Sequence, residues 1–527
     1  MYDLVLLNGN VITMDPSTPR AGLVAIQGER IALVSPGAQS VEPSAGAART
    51  IDCAGKTVVP GFIDAHCHVN AYAQSLVSLG LSPRDGIDSV ASIRERVRSL
   101  CERKAPGTWV RGRGYDEFHL AEARHPNRWD LDAAAPLHPV RLAHRSGHAH
   151  VLNSLALKEV GITFETGDPP QGYIDRELGT GEPTGILFGM GDFLAERIPP
   201  VDEHEMGEAL ALGSRKLLSL GITSVQDASA HNDLRQWELF REWKRRAIFA
   251  PRVTMMMGLK GFAEWQKEAY PRLIQEHQLR LGGVKIMVTE ATGSLHPSPE
   301  MLREGLLSID GAGLQAVVHA VEESVIGAVC DAVEYALSAH GSRDHRHRIE
   351  HCSVCPPSLM KRIHELAITV VTQPTFVYYN GDRYLSTVSD EQQPCLYPIR
   401  SMLQSGIPVA FSSDFPIAEP GPLVGICAAV TRGTEKGRTL LPEEGVEAME
   451  ALRMHTAGAA RAAFEEDVKG SVTPGKLADL VVLSGDPTAV DASRIKEIKV
   501  EMTILGGKVV WPPGLAVDRP GHENATD

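Results

Sequence analysis

The run from Val58 to His68 ends in two histidines that are two positions apart, His66 and His68. Side chains two apart on a strand point to the same face, so these two imidazoles would project together while Cys67 points away. Neutral imidazole nitrogens are common ligands of zinc and other transition metals. A His-x-His pair at the end of a buried strand therefore predicts half of a metal site, whose other ligands must come from elsewhere in the chain.

Short apolar runs alternate with helical stretches and predict the scaffold that positions this pair. Such alternation is typical of βα units and a parallel sheet. Eight strands are predicted in this way: Thr57–Ala65, Gly221–Asp227, Arg252–Met257, Val284–Thr289, Gln315–Ala320, Arg348–Cys352, Ile368–Gln373 and Pro408–Ser413. A large open doubly wound sheet would show a similar local pattern. The count of eight favours an α/β fold with a (β/α)8 TIM-type barrel.

The two ends of the chain and one long internal stretch differ from the barrel pattern. Short strand candidates separated by turn residues occupy residues 1–56 and return in 470–515, which predicts a small β-sandwich domain built from both termini. The barrel would span 57–469, and its loop-rich stretch at about 70–200 is predicted to be an insert after the first strand. The polar tail 516–527 is predicted to be disordered.

Composition excludes several classes of protein. The 527 residues are 43% hydrophobic and 22% charged, which is typical of a soluble globular protein. The net charge of −14 comes with no basic stripe and argues against a nucleic-acid partner. No stretch approaches the ~20 apolar residues of a membrane span, and the first residues do not resemble a signal peptide. The expectation is a cytoplasmic protein with reduced cysteines.

Residues able to bind a metal recur where the predicted barrel strands end, which is where barrel active sites lie. Each has an ordinary alternative, since a histidine can be satisfied by local hydrogen bonds, an aspartate can cap a helix, and a lysine can form an ion pair. Their coincidence at one edge of a closed barrel favours a shared metal site. The candidate ligands are His66, His68, Lys285, His319, His351 and Asp414.

Lys285 can join such a site only after a chemical change, because an ammonium group is not a metal ligand. Reaction with carbon dioxide would convert it to a carbamate whose two oxygens can bridge two divalent cations. Ions about 3.5–4 Å apart would share the carbamate and a hydroxide, since metal binding lowers the pKa of water from about 15.7 to about 7. Asp414 could ligate one ion, accept the proton of the attacking hydroxide and later deliver it to the leaving group.

These residues lie in longer motifs that resemble the amidohydrolase superfamily, within it the group of large metal-dependent amidohydrolases that includes N-substituted formamide deformylases. The matching segments run over nearly the whole chain: Pro60–His68, Ser146–His148, Asn153–Ser154, Gly181–Gly185, Val284–Ile286, Val318–Ala320, Arg348–His351, Ser413–Asp414 and Pro474–Leu480. The resemblance implies a barrel with a β-sandwich and a homodimer or larger homo-oligomer. It also implies a binuclear site, with zinc as the expected metal, that uses all six candidate ligands with Lys285 carboxylated.

Two segments depart from the pattern of the resembled family. Thr289-Glu290-Ala291 stands where relatives usually carry Asp-Gly, and Val321-Glu322-Glu323 follows His319 where relatives often carry Gly-Asp. Neither change removes a candidate ligand, but both alter the wall of the pocket. The substrate of a relative therefore cannot be transferred to this chain.

Candidate substrate contacts come from the insert and from the loop after the seventh strand. Ser146 and His148 could bond a substrate carbonyl or carboxylate, or they could form a structural turn. Gln373 and Tyr378 could supply a polar and an aromatic wall. The 115–117 segment is interpreted as a turn, and the histidines at 144 and 150 as ordinary packing residues.

The predicted function is hydrolysis of an amide-type C–N bond, such as an N-acyl, N-formyl, carbamoyl or cyclic amide group, in a small-molecule substrate. A deaminase or a metal-dependent decarboxylase on the same scaffold is an alternative. Deaminases of the resembled superfamily usually keep one metal and lack a carboxylated lysine, so Lys285 disfavours that alternative. A non-catalytic binding protein is disfavoured because all six ligand positions are filled.

Overall fold

The computed structural model describes residues 2–36, 47–169, 172–268, 275–276, 278–291, 294–341 and 343–513. The chain separates into two units, residues 1–69 with 213–527, and residues 70–212. The first is called the barrel unit and the second the inserted unit. The tail at 516–527 that was predicted to be disordered lies outside the described residues.

Parallel strands form the centre of the barrel unit. The described part contains eight of them, each hydrogen-bonded to the next in chain order. Backbone bonds also join the first strand to the residues after the last, from Asp414 N–H to His66 O (3.0 Å) and from His68 N–H to Phe415 O (2.9 Å). The sheet is therefore a nearly closed barrel, which confirms the predicted α/β fold. The strands are β1 (Phe62–Cys67), β2 (Ile222–Asp227), β3 (Arg252–Gly258), β4 (Leu279–Ile286), β5 (Ala316–Ala320), β6 (Arg348–His351), β7 (Thr369–Thr372) and β8 (Val409–Phe411).

The barrel strands are apolar runs that are buried on both faces. Every residue of β2 and β3 is buried. Continuous buried runs are typical of parallel strands that are covered by helices on one face and by the barrel interior on the other. The helices of this unit are Leu234–Arg245, Leu259–Glu268, Pro299–Gly311, Glu323–His340, Pro357–Glu365, Pro374–Thr387, Ile399–Gln404, Pro422–Thr431, Ala448–Met454 and Ala457–Ala462.

The helix Leu234–Arg245 shows how sequence sets these elements. Asp233 caps its first turn by accepting from the backbone N–H of Gln236 at 2.9 Å, an interaction worth about 1 kcal/mol. Trp237, Phe240 and Trp243 recur at intervals of three and are buried. This spacing places the three aromatic side chains on one face of the helix. Among the helices described, none is both long and apolar enough to cross a bilayer.

The predicted first barrel strand, Thr57–Ala65, is two strands in the structure, and only the second belongs to the barrel. Thr57–Pro60 pairs with Leu480–Leu483 and with Asn10–Ile12 in a sheet of the termini, whereas β1 begins at Phe62. Gly61 separates them at a close approach, because a Cβ at this position would lie 2.2 Å from Thr223 Oγ1. Both strands are fully buried, so the apolar run shows no break in the sequence.

Strands from both ends of the chain form two further sheets. In the described residues the larger sheet has the order Lys508–Trp511, Val500–Leu505, Leu480–Leu483, Thr57–Pro60, Asn10–Ile12 and Arg20–Ala21. The smaller has the order Arg30–Ser35, Leu23–Gln27, Leu4–Leu7 and Thr50–Asp52. Leu6 from the smaller sheet and Val58 and Leu480 from the larger belong to one apolar core cluster. Two short strands, Thr289–Ala291 and Ser294–His296, pair with each other, and Gln275–Glu276 pairs with β4.

The inserted unit has a mixed sheet of its own. Its described strands have the order Tyr173–Arg176, Pro183–Phe188, Ala149–Leu152, Val140–His144, Val110–Tyr115 and Leu79–Gly80. Val110–Tyr115 and Val140–His144 are parallel, so their carboxyl ends share one edge. Leu142 and Leu152 lie in different apolar clusters, which shows that both faces of the sheet are covered. The helices in this part of the chain are Val69–Val77, Val90–Cys101, Arg128–Asp132, Ser154–Glu159, Gly191–Arg197 and Glu203–Ser219.

Asp310 joins two helices to the barrel unit's sheet and gives a testable pH dependence. Its carboxylate accepts from His340 Nδ1 (2.8 Å), Arg343 Nη2 (2.6 Å) and His347 Nε2 (3.1 Å), while His347 Nδ1 accepts from Ala316 N–H. The bond with His347, more than those with Arg343 and His340, holds the pKa of Asp310 well below its ordinary value. The stabilisation is therefore present above the unfolded pKa of about 3.9 and is lost as the pH falls.

Asp310→Asn is expected to lower the free energy of unfolding at pH 7 by about 1–3 kcal/mol, because hydrogen bonds to a charged group are lost. The variant should also lose less stability than the unmodified protein as the pH falls from about 4 towards about 2, as measured by urea unfolding. The control is Asp344→Asn, which breaks a more exposed pair with Arg346. That variant should change stability by less than about 1 kcal/mol. Parallel acid sensitivity in Asp310→Asn and the unmodified protein would contradict this account.

Candidate active site

Three of the predicted ligands come together at the carboxyl ends of β1 and β6 and just after β8. One ligand atom each from His66, His351 and Asp414 lies within 4.8 Å of the others. His66 Nε2 is 3.6 Å and His68 Nε2 is 3.1 Å from Asp414 Oδ1. Two ligands of one tetrahedral zinc ion lie about 3.3 Å apart when each bond is about 2.0–2.1 Å long. The spacing of these atoms therefore fits ligation of one ion.

His319 extends the group along the same edge. The centroid of its ring lies 4.5 Å from that of His351, whose own ring centroid lies 5.0 Å from that of His66. His351 and Asp414 have φ values of 74° and 60°, in the left-handed region that side chains rarely adopt. Such conformations cluster at functional sites, where the surrounding structure imposes them.

Lys285, on β4, is 1% exposed, and its Nζ has no hydrogen-bond partner among the residues that the structure describes. Burial lowers the pKa of Lys285 to about 8, although the charges of Glu350 and Asp414 act in the opposite direction. A neutral amine is the form that adds carbon dioxide, and it is appreciably populated near pH 8. A buried amine without a partner, close to histidines and carboxylates, fits a lysine that is carboxylated to hold metal.

Glu350, for which the sequence indicated no role, orients the first histidine. Its Oε2 contacts His66 Nδ1, so the opposite ring nitrogen faces Asp414. Arg348 donates to both carboxylate oxygens of Glu350, at 2.7 Å and 3.0 Å, and also to Gln226 Oε1 at 2.6 Å. Both Arg348 and Glu350 are completely buried. A carboxylate on the remote nitrogen of a ligating histidine sets its tautomer and direction.

Gln373 holds a candidate ligand in place. It is fully buried, and its Oε1 accepts from His351 Nδ1 at 2.9 Å. The substrate contact predicted for Gln373 stays a prediction. Its Nε2 donates to Ser412 Oγ at 2.9 Å, which fixes the orientation of the amide. His68 has a comparable partner, since its Nδ1 lies 3.1 Å from Ser229 Oγ. Because Nδ1 of His351 and Nδ1 of His68 have these partners, the Nε2 atom of each histidine remains available as a metal ligand.

Asp414 and Asp64 are both buried, but their pKa values are shifted in opposite directions. Burial alone would raise the pKa of Asp414, but the hydrogen bond from His68 and the charges of His66 and His68 hold it well below the ordinary value. Burial raises the pKa of Asp64 to about 7 despite bonds from Ser413, whose hydroxyl donates at 2.6 Å. Asp414 is thus a carboxylate at neutral pH that can accept a proton. Asp64 holds Ser413, the residue that precedes Asp414, in place.

The chain is similar to known proteins along most of its length. The family model described as "Amidohydrolase family" matches residues 49–511. N-substituted formamide deformylase of Arthrobacter pascens is 32% identical, over 96% of this chain and 98% of its own length. The chain belongs to the amidohydrolase family. It is a hydrolase of the group that includes the formamide deformylases, as its sequence motifs indicated.

Other relatives of this amidohydrolase extend the comparison. Protein LONG AFTER FAR-RED 3 of Arabidopsis thaliana is 29% identical over 97% of this chain and 92% of its own. Crystal structures of uncharacterized metal-dependent hydrolases from Pyrococcus horikoshii OT3 and Pyrococcus furiosus match with TM-scores of 0.74 and 0.71. They are 22% and 25% identical, and the matches cover 93% and 92% of this chain and 99% of each of theirs. The chain therefore shares its fold with these two crystal structures.

Tyr378, another predicted substrate contact of the amidohydrolase, lies on the helix Pro374–Thr387 that follows β7. The hydroxyl oxygen of Tyr378 lies 3.5 Å from Lys496 Nζ. The aromatic ring that stacks on the His351 ring belongs to Phe376, with ring centroids 6.3 Å apart. Tyr378 follows Phe376 by two positions on the helix, which turns the two side chains to different sides. Ser146 and His148 lie in the inserted unit and remain predictions.

Proposed function

We propose that this protein is a metal-dependent hydrolase that cleaves an amide-type C–N bond, of the N-acyl, N-formyl, carbamoyl or cyclic amide class, in a small molecule. The observation that carries the proposal is the group of histidines and Asp414 at the barrel edge. Beside it lies Lys285, which is buried and has no hydrogen-bond partner among the described residues. The name of the Arthrobacter pascens relative supports the bond class, because a formamide is an N-formyl amide.

We infer that two divalent ions, zinc by preference, occupy this edge of the barrel. His66, His68 and Asp414 would hold one ion, His319 and His351 would hold the other, and carboxylated Lys285 would lie between them. When bound, such ions acidify a water molecule and polarise a carbonyl group. The donor set of imidazole nitrogens and carboxylate oxygens suits zinc.

Asp414 is the residue proposed to move the proton. Its depressed pKa keeps it ionised at neutral pH, so Oδ1 or Oδ2 can accept a proton from water and pass it to the leaving nitrogen. Without protonation of the leaving nitrogen, the leaving group would have to depart as a nitrogen anion, which is far less favourable than departure as a neutral amine. Glu350 and Gln373 keep His66 and His351 in the orientation that this arrangement requires.

We also infer that the two sheets formed by both ends of the chain make a β-sandwich, because side chains from both sheets belong to one apolar core cluster.

Removal of metal by a chelator is expected to abolish turnover, and zinc with bicarbonate is expected to restore it. The measurement is release of amine from a panel of N-formyl amines, N-acyl amines, carbamates and cyclic amides. Metal content gives a second measurement: a His66→Ala/His351→Ala variant should bind two fewer ions per chain than the unmodified protein. The control is the same chelator saturated with zinc beforehand. Undiminished turnover in metal-free protein with an unchanged circular dichroism spectrum would overturn the proposed function.

A further inference from the structure

Three side chains of metal-ligand type also meet at one edge of the sheet in the inserted unit. The parallel strands Val110–Tyr115 and Val140–His144 end side by side, with Tyr115 opposite His144. Asp116 and Glu117 follow the first strand directly, and His144 ends the second. One ligand atom from each of these three residues lies within 4.8 Å of the others. Carboxyl ends of neighbouring parallel strands are a common place for ligand binding in open α/β sheets.

The closest approach in this group is 2.7 Å, between Glu117 Oε2 and His144 Nε2. His144 is 7% exposed, and its buried Nε2 makes no hydrogen bond of acceptable geometry to any residue that the structure describes. A buried imidazole nitrogen that faces a carboxylate without a well-directed hydrogen bond has the arrangement of two ligands of one cation.

A serine lies beside the remote nitrogen of His144, as it does beside that of His68 in the barrel. His68 Nδ1 lies 3.1 Å from Ser229 Oγ, and its Nε2 lies 3.1 Å from Asp414 Oδ1. His144 Nδ1 lies 2.8 Å from Ser146 Oγ and also accepts from the backbone N–H of Ser146 at 3.2 Å, while its Nε2 faces Glu117. A hydrogen-bond partner on the remote nitrogen is the usual support of a histidine that ligates metal.

The surroundings of His144 determine which atoms remain for a cation. The rings of Tyr115 and His125 pack against the His144 ring, with centroid distances of 5.3 Å and 5.7 Å. Asp116 Oδ2 lies 3.2 Å from His119 Nδ1 and 3.4 Å from Arg145 Nε. Because Arg145 already offsets part of this charge, Asp116 would be the weakest of the three ligands.

We propose that Asp116, Glu117 and His144 bind one divalent cation of the zinc class within the inserted unit. Mixed imidazole and carboxylate ligands favour zinc over calcium or magnesium, which prefer oxygen ligands alone. The ion would join the ends of the two parallel strands and fix the segment that carries Ser146 and His148. It does not depend on the proposed function of the barrel unit.

The solution test is zinc binding by equilibrium dialysis of the full chain. Glu117→Gln/His144→Asn should bind one ion fewer per chain than the unmodified protein. The matched control is His204→Asn/Glu208→Gln, which removes an exposed His–Glu pair of the same unit whose closest atoms are 4.0 Å apart. The control should bind as much zinc as the unmodified protein. Equal zinc content in all three proteins would overturn the proposal, since a simple ion pair needs no metal.

Two further measurements keep the test decisive if the double variant folds poorly. The near-isosteric Glu117→Gln alone should raise the dissociation constant of this ion at least about tenfold. Crystals of the unmodified protein grown with zinc should show an anomalous peak about 2.0–2.2 Å from His144 Nε2 and from a Glu117 carboxylate oxygen. Crystals with zinc bound in the barrel but no peak at His144 would overturn the proposal while leaving the hydrolase function intact.

Discussion

Lys285→Met is expected to lower kcat/KM by at least about 10³-fold while leaving the stability of the fold close to that of the unmodified protein. Methionine fills nearly the same volume as lysine but has no amine that carbon dioxide could convert to a carbamate. Lys285 is buried and its Nζ has no hydrogen-bond partner in the described part of the structure. Removing it therefore leaves no broken hydrogen bond, and it relieves the unfavourable burial of a charge.

The measurement combines initial rates of amide hydrolysis with urea unfolding and metal content. Lys244→Met is the matched control, because Lys244 is a lysine of the same unit whose Nζ donates to the carbonyl oxygens of Ala250 and Pro251. That variant should lose stability through its unpaired carbonyl groups while each folded molecule keeps its activity. Full activity in Lys285→Met, with the usual metal content, would contradict the carbamate role of this lysine.

Glu350→Gln is expected to lower the free energy of unfolding by about 3–5 kcal/mol, because it leaves the buried guanidinium of Arg348 without its counter-charge. Both residues are completely buried, so water cannot compensate for the lost pair. The substitution also removes the carboxylate that faces His66 Nδ1. Loss of such a partner typically weakens metal affinity about 10–100-fold, so activity should fall together with zinc content.

A double variant separates the two effects of Glu350. Arg348→Met/Glu350→Met replaces the buried ion pair by apolar side chains of similar length and should recover most of the lost stability. It should not recover the zinc affinity, because His66 still lacks a partner on Nδ1. Urea unfolding and zinc titration of the single and double variants measure the two quantities independently. Recovery of both stability and zinc affinity in the double variant would show that Glu350 does not orient His66.

The order of barrel strands could be predicted from the sequence because it depends on local patterns. Buried parallel strands are continuous apolar runs, and helices between them have their own periodicity, so β2, β3 and β5 to β8 lie close to the expected positions. The prediction for β4 was Val284–Thr289, whereas the strand runs over Leu279–Ile286. Residues that end such strands share one edge of a closed barrel by geometry alone. The sequence by itself therefore determined that His66, Lys285, His351 and Asp414 would approach one another.

The pairing of buried polar groups was decided only by the tertiary structure. His66 and Glu350 are 284 positions apart, and nothing local to either residue selects the other. Nothing in the sequence around Gln373 indicates that its side chain contacts His351. The Thr57–Ala65 run likewise shows no sign in the sequence that it divides into two strands at Gly61. The Glu117–His144 contact likewise depends on how two strand ends are aligned. Sequence periodicity determines which face of an element is buried, whereas a hydrogen bond or a metal ligand requires atoms placed to within a few tenths of an ångström. That placement results from the closure of the barrel and the packing of each sheet.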